Sequence, residues 1–198
     1  MRAEPELQLL PRLYRDAVWT RKGNRLLASL GEDDYELVAM AHERRMAMVR
    51  ALHEARVPLH AGTDTPNPFL VPGASLHREL RLFVEAGLPP EAALAAATTV
   101  PGAFLGRGEL PGLGRIAPGA PADLLVFRRD PTEDLANLAT LEAVVANGRL
   151  YPREVLEEQL ARYREYAAGA LVDRLSVALT ERMLTRLGGA GDAGGAHD

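Results

Sequence analysis

The residues whose types and spacing could do chemistry fall in one short stretch, His60-Ala61-Gly62-Thr63-Asp64. With Val57-Pro58-Leu59 ahead of it, the stretch reads as a short strand from Val57 to Gly62, with Pro58 at its beginning, where a missing N–H donor is tolerated. Residues two apart on a strand share a face, so His60, Gly62 and Asp64 point the same way. A carboxylate at the C-terminal end of a strand stands where α/β barrels place their active sites. Gly62 just before it lets a ligand or a neighbouring backbone approach closely. Ahead of Thr65-Pro66-Asn67-Pro68, Asp64 has a second reading, as an N-cap or Asx-turn residue. Both roles stay open on these residues alone.

The other histidines do not complete a metal site. His42 and His53 fall on one expected helix, about 16 Å apart along its axis, too far to share an ion. His42-Glu43 lacks the second histidine that a zincin helix carries four residues on. His60 and Asp64 are about 13 Å apart along a strand, which assigns His60 to packing. His77 begins a helix after the Asp64 loop, where capping or packing competes with substrate contact as its role. His197 lies in a Gly/Ala/Asp tail and carries no chemistry. The chain has no cysteine, which removes disulfides, thiolate zinc sites and cysteine nucleophiles together.

The elements that must position these residues can be read from pattern. Residues up to about 32 are irregular, punctuated by Pro5, Pro11, Gly23 and Gly31. A helix begins at Asp33, with Asp33 or Asp34 as its N-cap, and sets Leu37, Ala41, Met48, Leu52 and Ala55 on one face. A second runs from Ser75, as cap, to Glu85, with Gly87 as its stop, and a third from Pro90 to about Thr98. Helix, strand with a loaded C-terminal end, and helix is the repeating unit of α/β folds. Beyond Arg107 a Gly/Pro-dense stretch leads to strands at Ala122–Phe127 and Leu141–Ala146. Asn147-Gly148 then signals a hairpin into Arg149-Leu150-Tyr151. Those pieces are too few for an independent sheet. From Arg153 to about Leu187 the chain is helical and charged. Gly169 is its break, and Leu156, Leu160, Tyr163, Tyr166 and Ala167 form a stripe that packs on its own domain. The tail from Gly188 to Asp198 reads as disordered.

A hydrophobic share of 47%, 25% charged residues and a net charge of −4 describe a globular chain. Lys22 is the sole lysine. No basic block interleaved with aromatics suggests nucleic acid, and no uncharged run is long enough for a membrane span. The start shows no signal core, so the expected address is cytoplasmic.

The motifs also follow one another in a telling order. Gly62-Thr63-Asp64 precedes Pro72-Gly73-Ala74-Ser75-Leu76-His77-Arg78-Glu79-Leu80, then Glu85-Ala86-Gly87-Leu88-Pro89-Pro90-Glu91-Ala92-Ala93-Leu94. Ala96-Ala97-Thr98-Thr99-Val100-Pro101-Gly102-Ala103 and Leu105-Gly106 come next. Gly114-Arg115-Ile116-Ala117-Pro118-Gly119-Ala120-Pro121-Ala122-Asp123-Leu124 and Val144-Val145-Ala146-Asn147-Gly148 close the series. From Asp33 to Arg153 it resembles the C-terminal part of the amidohydrolase superfamily, close to its imidazolonepropionase-like and prolidase-like branch.

The resemblance implies an α/β fold: the C-terminal remnant of a TIM-like (β/α)8 barrel, part of a small β-sandwich, and a C-terminal helix. In residues, that is a barrel remnant at 1–105, a sandwich remnant at 106–152, a helical extension at 153–187 and the tail at 188–198. It implies hydrolysis of carbon–nitrogen bonds in amides, lactams, cyclic ureas or imino groups, using divalent metal, usually zinc. The position matching Asp64 ends strand eight, binds the metal and carries a proton from its water toward the leaving nitrogen. The position matching His77 recurs in the branch.

The sequence departs from the family where most ligands should be. The His-x-His pair of strand one, the Lys or Glu of strand four and the histidines of strands five and six have no counterpart. A full barrel takes roughly 250 residues. The expectation is therefore an incomplete C-terminal fragment that binds metal weakly and hydrolyses nothing alone. A small-molecule substrate belongs to the complete enzyme, and the partner is a complementary N-terminal half or a second copy. The alternative is a non-catalytic assembly module derived from the fold.

Overall fold

The computed structural model describes residues 7, 9–11, 13–24, 28–65, 67–106, 112–168, 174–180 and 182. The chain divides into two compact units. One comprises Met1–Leu37, Pro66–Val71 and Leu160–Asp198, the other Val38–Thr65 and Pro72–Gln159.

In the first unit a π-helical turn, Leu13–Val18, sets Tyr14 and Trp19 ring to ring at 5.7 Å. Trp19 meets Phe69 on its other side at 5.8 Å. Among the described residues there, Leu7, Leu10, Ala17, Trp19 and Val71 are the buried apolar ones.

The second unit carries the sheet and the helices ahead of it, taking in the first long helix from Val38 and the last up to Gln159. Helix α1, Glu32–Glu54, enters it along its length. Asp33 and Asp34 are not the cap but part of an acidic first turn, and Asp34 accepts the N–H of Gly31 at 2.8 Å. That bond satisfies a donor left over at the helix start, and the acids complement the positive end of the helix dipole. Met46 and Val49 turn inward against a core of Leu80, Phe83, Ala86, Leu88, Ala93 and Ala96.

Helix α2, Ala74–Glu85, starts from Gly73, whose φ of 80° needs a glycine, and has no side-chain cap. Ser75 therefore lies inside the first turn, not at the cap. Its C-terminus closes as expected at Gly87. Gly87 (φ 105°) donates to Val84 and Leu88 donates to Phe83, the two crossed bonds of a Schellman motif. Leu88 and Phe83, joined by that motif, are both core residues. Arg50 of α1 adds a bond from Nε to the Ala86 carbonyl at 2.7 Å.

Helix α3, Pro90–Ala97, opens with proline in its first turn and buries Ala93 and Ala96. Thr98 breaks the run, and α4 covers Thr99–Leu105. Helix α4 lies so close to the Leu113-Gly114 backbone that a Cβ on Gly102 would overlap the Leu113 carbonyl.

Strands β1 (Leu124–Phe127), β2 (Leu141–Ala146) and β3 (Arg149–Pro152) form one antiparallel sheet in that order. The three pieces expected from sequence pair with one another as a three-stranded antiparallel sheet. Asn147 (φ 50°) and Gly148 (φ 74°) both take the left-handed conformation of a two-residue hairpin turn. The turn is held from the residues just before β1, since Asp123 accepts the Asn147 N–H at 2.6 Å and Ala122 accepts that of Gly148 at 3.0 Å.

Helix α5, Arg153–Ala168, follows. Its expected inward stripe is largely open to solvent: Leu160, Tyr163 and Tyr166 are exposed and Leu156 is half-buried. The expected break at Gly169 and the expected disorder from Gly188 lie outside the described residues.

Candidate functional site

The segment from Val57 to Asp64 runs between α1 and α2, and it is not a strand. A strand persists by sharing a hydrogen-bond ladder, and no described residue pairs with this segment edge to edge. Its backbone ties go to helices instead. Val57 N–H bonds Leu52 in the last turns of α1, and Ala61 N–H bonds Ala96 of α3 at 2.8 Å. Leu59 and Ala61 pack on the core, which turns the intervening residues outward.

Asp64 is exposed, with φ 50°, a left-handed conformation that aspartate tolerates better than most residues. It closes an irregular segment, not a strand, and faces open solvent. Gly62 is also exposed, and a Cβ placed on it would meet nothing within 4 Å. No crowding from the chain itself demands a glycine there, and the space in front of it is open to an incoming group.

Glu79, in the middle of α2, stands behind this loop. It accepts the backbone N–H of Gly62 and lies near enough to Asp64 to sense its charge. Burial pushes its pKa up; the Gly62 bond opposes that shift and the Asp64 charge adds to it. No role had been assigned to Glu79 from sequence, although a signal was there. Leu76, Glu79, Leu80 and Phe83 follow the i, i+3, i+4, i+7 rhythm of a buried helix face. An acid on that stripe must be held by something, and here a loop amide holds it.

Among the described residues, no hydrogen bond, ion pair or ring contact joins His60 or His77 to Asp64. His60 is exposed, not buried in packing, and its ring meets Phe104 edge-on at 5.7 Å. His77 lies exposed in the first turn of α2, which has no side-chain cap bond, so the capping role falls away. A groove of about 600 Å³ runs on the far side of the segment, between Val57–His60 and helices α3 and α4. Its floor is apolar, with Leu59, Leu88, Ala96 and Val100, while His53, Arg56, His60 and Arg115 line it as well. Asp64 does not line it.

A catalytic metal is normally held by three protein ligands and a water. Among the described residues no group of three His, Asp or Glu side chains is placed to hold an ion. Asp64 and Glu79 alone do not fit one. No described helix is long and apolar enough to cross a membrane.

The chain has a mixed helix–sheet architecture that it shares with solved structures similar to it. It belongs to the amidohydrolase family, which matches residues 22–151 and whose members are generally metal-dependent. It is 32% identical over 128 residues to a pterin deaminase of Rhizobium rhizogenes, covering 62% of this chain and 28% of that enzyme. Among solved structures it is similar to a bottromycin amidohydrolase, with TM-score 0.64 and 32% identity over 85% of this chain and 36% of the other. A protein of Bifidobacterium longum described as a prolidase aligns with TM-score 0.54 and 27% identity, over 83% of this chain and 39% of that one. The chain spans less than two fifths of the length of each of these three relatives.

Proposed function

We propose that this chain supplies the Asp64 corner of a carbon–nitrogen hydrolase, in a site completed by a complementary polypeptide that brings the remaining ligands. In this reading residues 1–105 derive from a TIM-like barrel and residues 106–152 from its accompanying sandwich. The helix from Arg153 is an extension, and zinc is the metal of the completed site. The observation that carries the reading is the half-buried Glu79 carboxyl bound to the Gly62 amide behind an exposed Asp64. Asp64 takes the proton of the attacking water and returns it to the leaving nitrogen, the work of a positioned carboxylate acting as general base and then general acid. Glu79 holds the loop in place while it does so. His77, two residues earlier on the same helix and exposed, is available to substrate.

The relatives' names and the carbon–nitrogen reading give the panel to try: a pterin, bottromycin, a prolidase substrate, and simple amides and lactams. The test assays such a panel with zinc or manganese, using the chain alone and the chain mixed with an amidohydrolase N-terminal segment that carries the His-x-His strand. The expected result is no turnover alone, and turnover on mixing that Asp64→Asn reduces by at least about 100-fold, in the range of a lost general base. Turnover on mixing that is indifferent to Asp64→Asn would refute the assignment of Asp64. Turnover by the chain alone would refute the need for a complement. A second reading, a non-catalytic assembly module, is supported by the largely open stripe on α5; it predicts that no complementing segment restores activity.

A further inference from the structure

Helix α1 is unusual in its surroundings. It has 23 residues, roughly 35 Å of helix, and none of them is buried. Among the described residues one side packs on the core, where Met46 and Val49 lie and Arg50 bonds Ala86, while on the other side Ala41 is half-buried and Arg44, Met48 and Ala51 are exposed. On the opposite side Leu37, Ala41, Arg44, Met48 and Ala51 recur at alternating spacings of four and three, and Ala55 continues the row past the helix end. That is the seam of a helix meant to pack against another helix. Leu37 is 65% exposed and Met48 58%, with Met40 beside them at 73%.

Charge along α1 is segregated. Its first turns hold Glu32, Asp33, Asp34 and Glu36, while its second half holds Arg44, Arg45, Arg50 and His53, with Arg56 just beyond. Glu43 and Glu54 are the interruptions. A parallel neighbour of the same sequence would set acid on acid and base on base. An antiparallel one sets the acidic start of each helix against the basic end of the other. The seam suits the same arrangement. Aligning Arg44 of one copy with Met48 of the other puts Ala41 opposite Ala51 and Leu37 opposite Ala55. Large residues then meet small ones, and the arginine stem covers a methionine.

We propose that this face of α1 is a self-association surface, on which a second copy of the chain docks its own α1 antiparallel about a two-fold axis. The inference does not depend on the catalytic reading. Such an interface is isologous, so every contact occurs twice. Its area is that of one helix pair, below the size of obligate interfaces, so the dimer forms and dissociates with concentration. The acid–base ends make it weaken as salt is raised.

The absence of cysteine from the chain gives a direct test. Light scattering after size exclusion, run over a concentration series, should show a monomer–dimer equilibrium for the full chain. Met48→Glu should weaken it by at least tenfold with unchanged circular dichroism, since Met48 is exposed and glutamate is a good helix former. Ala41→Cys and Ala51→Cys, oxidised separately, should remain largely uncrosslinked, and should crosslink to each other when mixed. Asp33→Arg and Arg56→Glu should each lower homodimer formation, and their mixture should recover it as a heterodimer by native mass spectrometry. A chain that stays monomeric throughout would overturn the proposal. So would association indifferent to Met48→Glu, or crosslinking of Ala41→Cys to itself in preference to Ala51→Cys.

Discussion

Glu79 stands behind Asp64, bound to the amide of Gly62. Burial, and to a smaller degree the Asp64 charge, hold its carboxyl above the ordinary glutamate range against the opposing pull of the Gly62 bond. The folded chain therefore keeps this proton more tightly than the unfolded chain does. Stability from the group is fully present below the usual glutamate pKa and is lost as pH rises through the elevated folded value. Glu79→Gln keeps an acceptor for the Gly62 N–H and removes the ionisation. It should unfold at a higher temperature than the parent at neutral pH, by a small margin because the group is partly solvent-screened. The difference should vanish toward acid pH. Thermal melts across that range check it, and equal curves for the two proteins at neutral pH would contradict it.

Glu79 also shows how far sequence carries. The rhythm of α2 was readable, and so was the acid within it, but the partner that justifies the acid is a loop amide seventeen positions away. The Gly62-Thr63-Asp64 loop was legible as a candidate site from its residues alone. Its expected strand was not realised, because a strand is a relation between two segments and one segment's composition cannot supply the other. Local signals did better. Gly87 ends α2, Pro90 opens α3, and Asn147-Gly148 turns the hairpin, since each is fixed by backbone conformations that few residues accept. The caps assigned to Asp33 and Ser75 failed because Gly31 and Gly73 precede those helices instead.

Arg50 and Gly87 form a second coupled pair. The Arg50 guanidinium caps Ala86, and a Cβ on Gly87 would come within 2.9 Å of Arg50 Nε. Arg50→Ala should cost about 1.5–3 kcal/mol, the range for a charged donor's hydrogen bond. Gly87→Ala should cost roughly 1–2 kcal/mol for its positive φ, plus the displacement of Arg50. In the Arg50→Ala background the second part disappears. A double-mutant cycle by urea unfolding should therefore return less than the sum of the single changes.

Gly102 tests the contact between α4 and the loop before the sheet. A methyl group there meets backbone, the Leu113 carbonyl, and not a side chain that could swing away. Gly102→Ala should destabilise by about 1–3 kcal/mol, as overpacking does, although alanine is the better helix former. A neutral or stabilising effect in thermal unfolding would mean that the 112–115 loop yields without cost.

The hairpin gives the last prediction. Asp123 and Asn147 lie in two motifs that the sequence keeps 24 residues apart, and the structure joins them through one bond of 2.6 Å. The Asp123 carboxylate holds the amide of a residue at φ 50°, so it stabilises a conformation that asparagine enters at some cost. Asp123→Ala should leave that amide to solvent and cost about 1 kcal/mol, because the site is exposed and water replaces part of the bond. Asn147→Gly should recover part of the loss, since glycine adopts the turn without help. Amide hydrogen exchange at Gly148 and along β3 should quicken in Asp123→Ala and slow again in the double variant. If Asp123→Ala leaves exchange in the hairpin unchanged, the turn is fixed by the strand ladder alone, and the Asp123–Asn147 bond contributes nothing to it.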